Sequence, residues 1–185
     1  MGMRRSGVVW VAIVLGVWCA PVEAAEIDTA FLGTKWASAP AELTGFVRVG
    51  GSGKIGYYAD PQRKYTFFGV EVPNQVVYGF YEDKFFAVYI DVYDISIFSR
   101  IKSYIQKQHG VPAKISREAR GNLTTYIWRT RQAQIKFKHH ETSGDRKIAV
   151  YYTPISRQVA DLPSGPPKIG PWEVTVYREL ELMEF

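Results

Sequence analysis

The chain has 185 residues, with 23 lysine and arginine residues against 18 aspartate and glutamate residues and a formal net charge of +5. Aromatic residues make up 15% of the chain and charged residues 22%, which is typical of a globular protein and excludes a disordered one. The single cysteine, Cys19, lies near the N-terminus. Without that segment the chain has no disulfide, no thiol nucleophile and no thiolate metal ligand.

Residues 1–24 have the pattern of a cleavable secretory signal peptide. Arg4 and Arg5 precede an apolar run over residues 8–18, and small residues follow near Ala24. This order of a positive segment, an apolar run and a small-residue cleavage site directs export. The run is shorter than the roughly 20 residues that span a bilayer. We therefore expect cleavage after Ala24 and a periplasmic or secreted protein with no transmembrane span.

The residues after this signal predict a helix and then three strands. Ser38 as N-cap, Pro40 in the first turn and a stop at Gly45 are typical of a short helix. The glycine-rich residues 49–56 predict a loop. Strand-like runs follow at residues 65–72, 76–81 and 84–93. The last two flank the turn signal Glu82-Asp83 and predict a tight hairpin.

The apolar pattern then changes to the helical period. Ile97, Ile101 and Ile105 recur at a spacing of four. They lie between an N-cap at Asp94 or Ser96 and a stop at Gly110, and so predict a helix. Three further strands are predicted over residues 123–131, 133–140 and 146–153. A linker rich in proline and glycine, residues 161–171, then leads to a C-terminal strand or arm, residues 172–185.

Both halves of the chain have the same predicted order, a helix followed by three antiparallel strands. We interpret residues 27–93 and 94–153 as pseudo-repeats, a tandem duplication within one domain of residues 25–160. The expected fold class is α+β, with an antiparallel sheet or sheets and helices packed on one face.

Two short motifs resemble those of small exported bacterial proteins of unknown function. Residues 31–38, Phe-Leu-Gly-Thr-Lys-Trp-Ala-Ser, with Glu42-Leu43, resemble the opening F-x-G-x-x-W-G-x-S…E-L of those proteins, with alanine where the second glycine is usual. Residues 104–112 resemble their helix-Y-G-x-P element. Tandem units of this kind are also similar to the β-lactamase-inhibitor-protein and outer-membrane-assembly-lipoprotein type of fold, although the lipidation box of the lipoproteins is missing. The resemblance implies an envelope protein that binds other proteins, and it carries over no functional residue.

Positive charge is concentrated in one stretch of the chain. Residues 98–147 contain 12 basic and 3 acidic residues, a net charge of +9. Residues 25–97 have a net charge of −3 and residues 148–185 a net charge of −2. This stretch is expected to attract anionic partners over about a Debye length.

Five side chains of this stretch are candidates for one anion-binding face. Lys136, Lys138 and His140 alternate along a predicted strand and so share one of its faces, while Arg129 and Arg131 end the preceding strand. The expected partners are another envelope protein or an anionic envelope component such as lipopolysaccharide, phospholipid headgroups or a cell-wall polymer. Nucleic acid is not expected in an exported compartment. The alternative is a merely solvated outer face.

Other motifs give little support to catalysis or metal binding. Residues 50–54 contain three glycines and a lysine, but they lack the first glycine and the final serine or threonine of a phosphate loop. His139 and His140 point to opposite faces of a strand and cannot chelate one ion together. Asp91 is the one carboxylate that suits a hydrolase acting on a cell-envelope polymer. We therefore expect a non-catalytic binding protein without a cofactor, with that hydrolase as the alternative and the oligomeric state open.

Overall fold

A computed structural model describes residues 26–72, 76–118 and 122–160. The predicted signal peptide, the predicted linker and the predicted C-terminal arm lie outside these residues. Of the described residues, about 48% lie in strands and 21% in helices.

Twelve strands lie within the described residues. They are β1 Ala30–Phe31, β2 Thr34–Lys35, β3 Val47–Ser52, β4 Ile55–Ala59, β5 Tyr65–Phe67, β6 Val70–Val72, β7 Val76–Tyr81, β8 Lys84–Asp91, β9 Lys114–Glu118, β10 Leu123–Arg129, β11 Ala133–His140 and β12 Arg146–Tyr152. Helix α1 spans Ile95–His109 and helix α2 spans Thr153–Ala160. A 3-10 turn covers Pro40–Glu42.

Eight of the strands form one antiparallel sheet in the order β3-β4-β7-β8-β12-β11-β10-β9. Each half of the chain supplies four strands, and the two sets meet where β8 pairs with β12, with Ile90 opposite Ile148. The pairs β1–β2 and β5–β6 form separate two-stranded ladders. Around this central pair the side chains of Val88, Ile90, Ile148 and Val150 are fully buried.

The predicted α+β class with helices on one sheet face is wrong, because the structure is mostly β. The helix expected near residue 40 is a single 3-10 turn that buries no side chain. Apolar side chains of α1 join the larger of two core clusters, whereas those of α2 join the smaller cluster on the opposite face of the sheet. The two helices therefore form no common layer. Each half supplies four strands to the large sheet and not three, because β9 and the β3–β4 pair were not predicted. The run predicted as one strand over residues 65–72 forms the separate β5–β6 pair instead.

The glycine-rich residues 49–56 were predicted as a loop, and this is wrong, because they pair as β3 and β4. Gly51 has a φ of +119°, and a Cβ atom at this position would lie 2.2 Å from the carbonyl oxygen of Ile55. Only glycine permits this approach. Gly51 therefore permits the close pairing of β3 with β4.

A bulge changes which side chains of β8 share a face. The pairing of β7 with β8 shifts by one residue after Gly79. As a result Phe85 joins Val88 in the larger cluster, while Phe86 joins the smaller one. A regular strand would place Phe86 on the same face as Val88, and the bulge prevents this.

The predicted hairpin and the predicted central helix are confirmed. Glu82 and Asp83 have φ values of +49° and +58°, as a tight hairpin turn requires. The carboxylate of Asp94 accepts a hydrogen bond of 2.6 Å from the Ser96 amide and caps α1. Gly110 ends the helix with a φ of +75°.

A basic groove as the candidate functional site

A groove of about 600 Å³ lies between α2 and the sheet face that carries the smaller core cluster. Four cationic side chains line it: Arg129, Arg131, Lys136 and Arg157. No aspartate or glutamate is among the described residues that line it. We call this site, defined by these four residues, the basic groove.

The sheet register brings the cations of β10 and β11 together. Arg129 lies opposite Gln134, so the two side chains project from the same face of the sheet. Lys136 lies two residues further along β11 and shares that face. Arg131 lies in the short connection between the two strands, and Arg157 approaches from α2.

The connection that carries Arg131 is held by Asp28, more than a hundred residues earlier in the chain. The Asp28 carboxylate accepts a hydrogen bond of 2.5 Å from the Thr130 hydroxyl and one of 2.8 Å from the Gln132 amide. The Gln132 carbonyl accepts a hydrogen bond of 2.8 Å from the Thr153 amide, which begins α2. The turn between β10 and β11 is thus bonded both to Asp28 and to the start of α2. These bonds set the positions of Arg131 and of the helix that carries Arg157.

Lys136 is the half-buried cation of the basic groove. Its Nζ atom lies 4.9 Å from the ring centroid of Tyr151. Burial lowers the pKa of Lys136, and the like charges of Lys138 and Arg129 lower it further. The charges nearest this ammonium group are therefore positive, and a bound anion would offset their repulsion.

Neutral tyrosines form the floor beneath Lys136. Tyr89 packs edge-to-face on Tyr151 with ring centroids 5.7 Å apart and on Tyr57 at 6.0 Å. Burial raises the pKa of Tyr151 to about 12 and that of Tyr89 well above its usual value. Both hydroxyl groups are therefore protonated at neutral pH and provide no negative charge to offset the cations.

Three of the five side chains predicted to share an anion-binding face line the basic groove: Arg129, Arg131 and Lys136. Lys138 and His140 do not. Lys138 lies opposite Lys147 of β12, and the Nδ1 atom of His140 accepts a hydrogen bond of 3.1 Å from the Ser143 amide. His140 therefore takes part in the turn that joins β11 to β12.

Arg157 was not predicted as a member of the site, because α2 was not predicted. The sequence carried a usable signal for this helix. Pro154 lies in the first turn of α2, where proline suits a helix, and Ile155 and Val159 recur at a spacing of four and are both buried.

Asp91, the candidate carboxylate of a hydrolase, is half-buried and is not among the residues that line the basic groove. Burial raises its pKa, Lys147 opposes this shift and Asp145 adds to it. Lys147 is also its partner across the sheet. Asp145 is exposed and accepts a hydrogen bond of 2.5 Å from the Ser143 hydroxyl, so it belongs to the turn between β11 and β12.

Within residues 26–72, 76–118 and 122–160, no three histidine, cysteine or acidic side chains are grouped closely enough to hold a metal ion. Among these same residues no helix has the length and apolar character needed to cross a membrane.

No family model matches the chain. No curated protein matches it either. Among solved structures, a DUF4309 family protein (YjgB) from Bacillus subtilis subsp. subtilis str. 168 is similar at 14% identity, over 56% of this chain and 67% of that one, with a TM-score of 0.32. A similarity this weak supports no conclusion on fold or function.

Proposed function

We propose that this protein is an exported, non-catalytic binding protein that takes up an anionic component of the cell envelope, or an acidic surface of an envelope protein, in the basic groove. The convergence of four cations from two strands, a turn and a helix, without an acidic side chain among the described lining residues, carries this proposal. Export is proposed from the signal-peptide pattern of residues 1–24.

The electrostatics of Lys136 support a ligand of negative charge. A partly buried charge beside two like charges lowers the stability of the folded chain unless a counter-charge is present. The floor of Tyr89 and Tyr151 offers hydroxyl groups but no counter-charge. An anion bound over this floor would pair with Lys136 and accept hydrogen bonds from the guanidinium groups of Arg129 and Arg131.

Retention on a heparin column tests this proposal, with the double variant Arg129→Glu plus Lys136→Glu compared with the wild type. The matched control is Arg100→Glu plus Lys107→Glu, which makes the same change in net charge at two exposed residues of α1. We expect the groove variant to elute at clearly lower salt and the control to shift much less. Circular dichroism would establish that both variants are folded.

Equal elution of the two double variants would contradict the proposal, since retention would then reflect net charge alone. Lys138→Glu adds a finer comparison, because Lys138 neighbours Lys136 on the strand but does not line the groove. It should change retention less than Lys136→Glu does.

A further inference from the structure

The described chain ends beside the basic groove. Arg157 and Val159 of α2 line the groove, and the helix ends one residue later, at Ala160. The sequence continues for another 25 residues, and its last part, residues 172–185, contains four glutamates and one arginine, a net charge of −3. An acidic segment is thus joined covalently to the rim of a cationic site.

We propose that residues 172–185 of the same molecule occupy the basic groove and act as an internal ligand that external anions must displace. Charge complementarity favours this occupant, because four cations line the groove without an acidic partner among the described residues. The segment also carries apolar side chains, among them Trp172, Val174 and Val176, that suit contact with the tyrosine floor.

The connection is long enough. Residues 161–171 provide eleven residues, four of them proline, and even a stiff extended chain of this length reaches roughly 34 Å. That distance exceeds any dimension of a compact groove of about 600 Å³. Short flexible tethers that span the distance to their site give effective concentrations in the millimolar range, and a stiffer tether of matching length acts in the same way. A segment of weak intrinsic affinity would therefore fill the groove for a large share of the time.

The contact can be tested directly by carbodiimide cross-linking, which joins a lysine amine to a carboxylate by an amide bond. We expect cross-links from Lys136 to Glu179, Glu181 or Glu184, and none from the exposed Lys114 of β9, which serves as control. A mixture of isotope-labelled and unlabelled protein shows whether the cross-linked segment belongs to the same molecule or to a second copy. Cross-links within one molecule support the proposal, whereas cross-links only between copies, or none to Lys136, would overturn it.

The functional consequence depends on the proposed function, and its test keeps the two apart. In the triple variant Glu179→Gln, Glu181→Gln and Glu184→Gln, we expect a heparin hexasaccharide to bind at least about twofold more tightly, as measured by calorimetry. The matched control is Glu26→Gln, Glu42→Gln and Glu71→Gln, the same charge change at exposed residues elsewhere.

An affinity that does not change in the triple variant, or rises equally in the control, would overturn the internal-ligand proposal. Binding that is unaffected by Arg129→Glu plus Lys136→Glu would instead contradict the anion site itself. The cross-links of Lys136 are independent of heparin binding, so either proposal can fail without the other.

Discussion

The Nζ atom of Lys136 on β11 lies 4.9 Å from the centroid of the Tyr151 ring on β12. The ammonium group is thus held by a neutral aromatic face, an interaction of about 0.5–2 kcal/mol, instead of by a carboxylate. A carboxylate partner would neutralise the site, whereas the ring fixes the lysine and leaves its charge available to a ligand. This arrangement supports the proposal that the basic groove binds an anion.

Replacing Lys136 with methionine should raise stability and lower anion affinity together. The change removes a half-buried charge from beside Lys138 and Arg129 and keeps an unbranched apolar stem. The methionine sulfur can contact the Tyr151 ring in place of the ammonium group, which offsets the loss of the cation–π contact. We expect the Tm to rise by up to about 4 °C, which corresponds to about 1 kcal/mol in a domain of this size. Thermal unfolding with and without a heparin hexasaccharide measures both effects.

Lys114→Met, at an exposed position, is the control and should leave the Tm nearly unchanged. The pH dependence has a definite sign. Because the pKa of Lys136 is lowered in the folded state, its destabilising effect is complete below that pKa and is lost as the pH rises towards the unfolded value. A stability advantage of Lys136→Met that grows at alkaline pH would contradict this account.

Asp28→Ala should loosen the turn that carries Arg131. Two hydrogen bonds to the carboxylate are lost, those from Thr130 and Gln132, and a cost of about 1–3 kcal/mol is expected. The amide of Gln132 should exchange with solvent faster, and anion affinity should fall because the arginine is less well positioned. Amide hydrogen exchange and calorimetry measure the two effects.

Asp60→Ala is the matched control for this prediction. Like Asp28, Asp60 accepts a hydrogen bond from a backbone amide, that of Gln62, at 3.0 Å. Asp60 lies outside the basic groove. It should change neither the exchange of the Gln132 amide nor the affinity. If Asp60→Ala weakens anion binding as much as Asp28→Ala does, the positioning role of Asp28 is refuted.

Asp91 and Asp94 should respond to pH in opposite directions. Burial raises the pKa of Asp91, so the folded state binds extra protons and this residue's contribution to stability falls as the pH rises through that range. Hydrogen bonds from Ser96 lower the pKa of Asp94, so its contribution is present above the unfolded pKa and is lost as the pH falls.

Urea denaturation of Asp91→Asn and Asp94→Asn between pH 3 and pH 7 measures this contrast. Asp91→Asn should gain stability relative to the wild type as the pH rises, which would appear as an upward shift of the urea midpoint. Asp94→Asn should lose stability relative to the wild type as the pH rises over the same range. Parallel curves for the two variants would contradict the assignment.

The sequence predicts best the elements whose signal is local. Helix α1 was predicted from its spacing of apolar residues and from its end at Gly110, and the hairpin from Glu82-Asp83. Strands β3 and β4 were missed because glycine usually marks a loop, and the close approach at Gly51 that requires it appears only in three dimensions. The order of the sheet, with β8 beside β12, rests on contacts between distant parts of the chain and could not be predicted.

Part of the candidate site could be predicted, because local sequence patterns place some of its residues. Strand alternation placed Lys136 on one face, and the end of the preceding strand placed Arg129 nearby. Lys138 does not line the groove, since alternation gives the face of a strand but not the extent of a groove. Arg157 and the support from Asp28 depend on tertiary packing, which no local pattern reports.

The most direct test of the basic groove is an NMR titration of the arginine Nε–Hε and lysine Nζ signals with a heparin hexasaccharide. The account predicts that the largest shift changes occur at Arg129, Arg131, Lys136 and Arg157. The titration curves of these four side chains should fit to one common dissociation constant. If the largest changes instead occur at Arg100, Lys107 and Lys114, or are spread evenly over the basic side chains, the basic groove is not the anion-binding site.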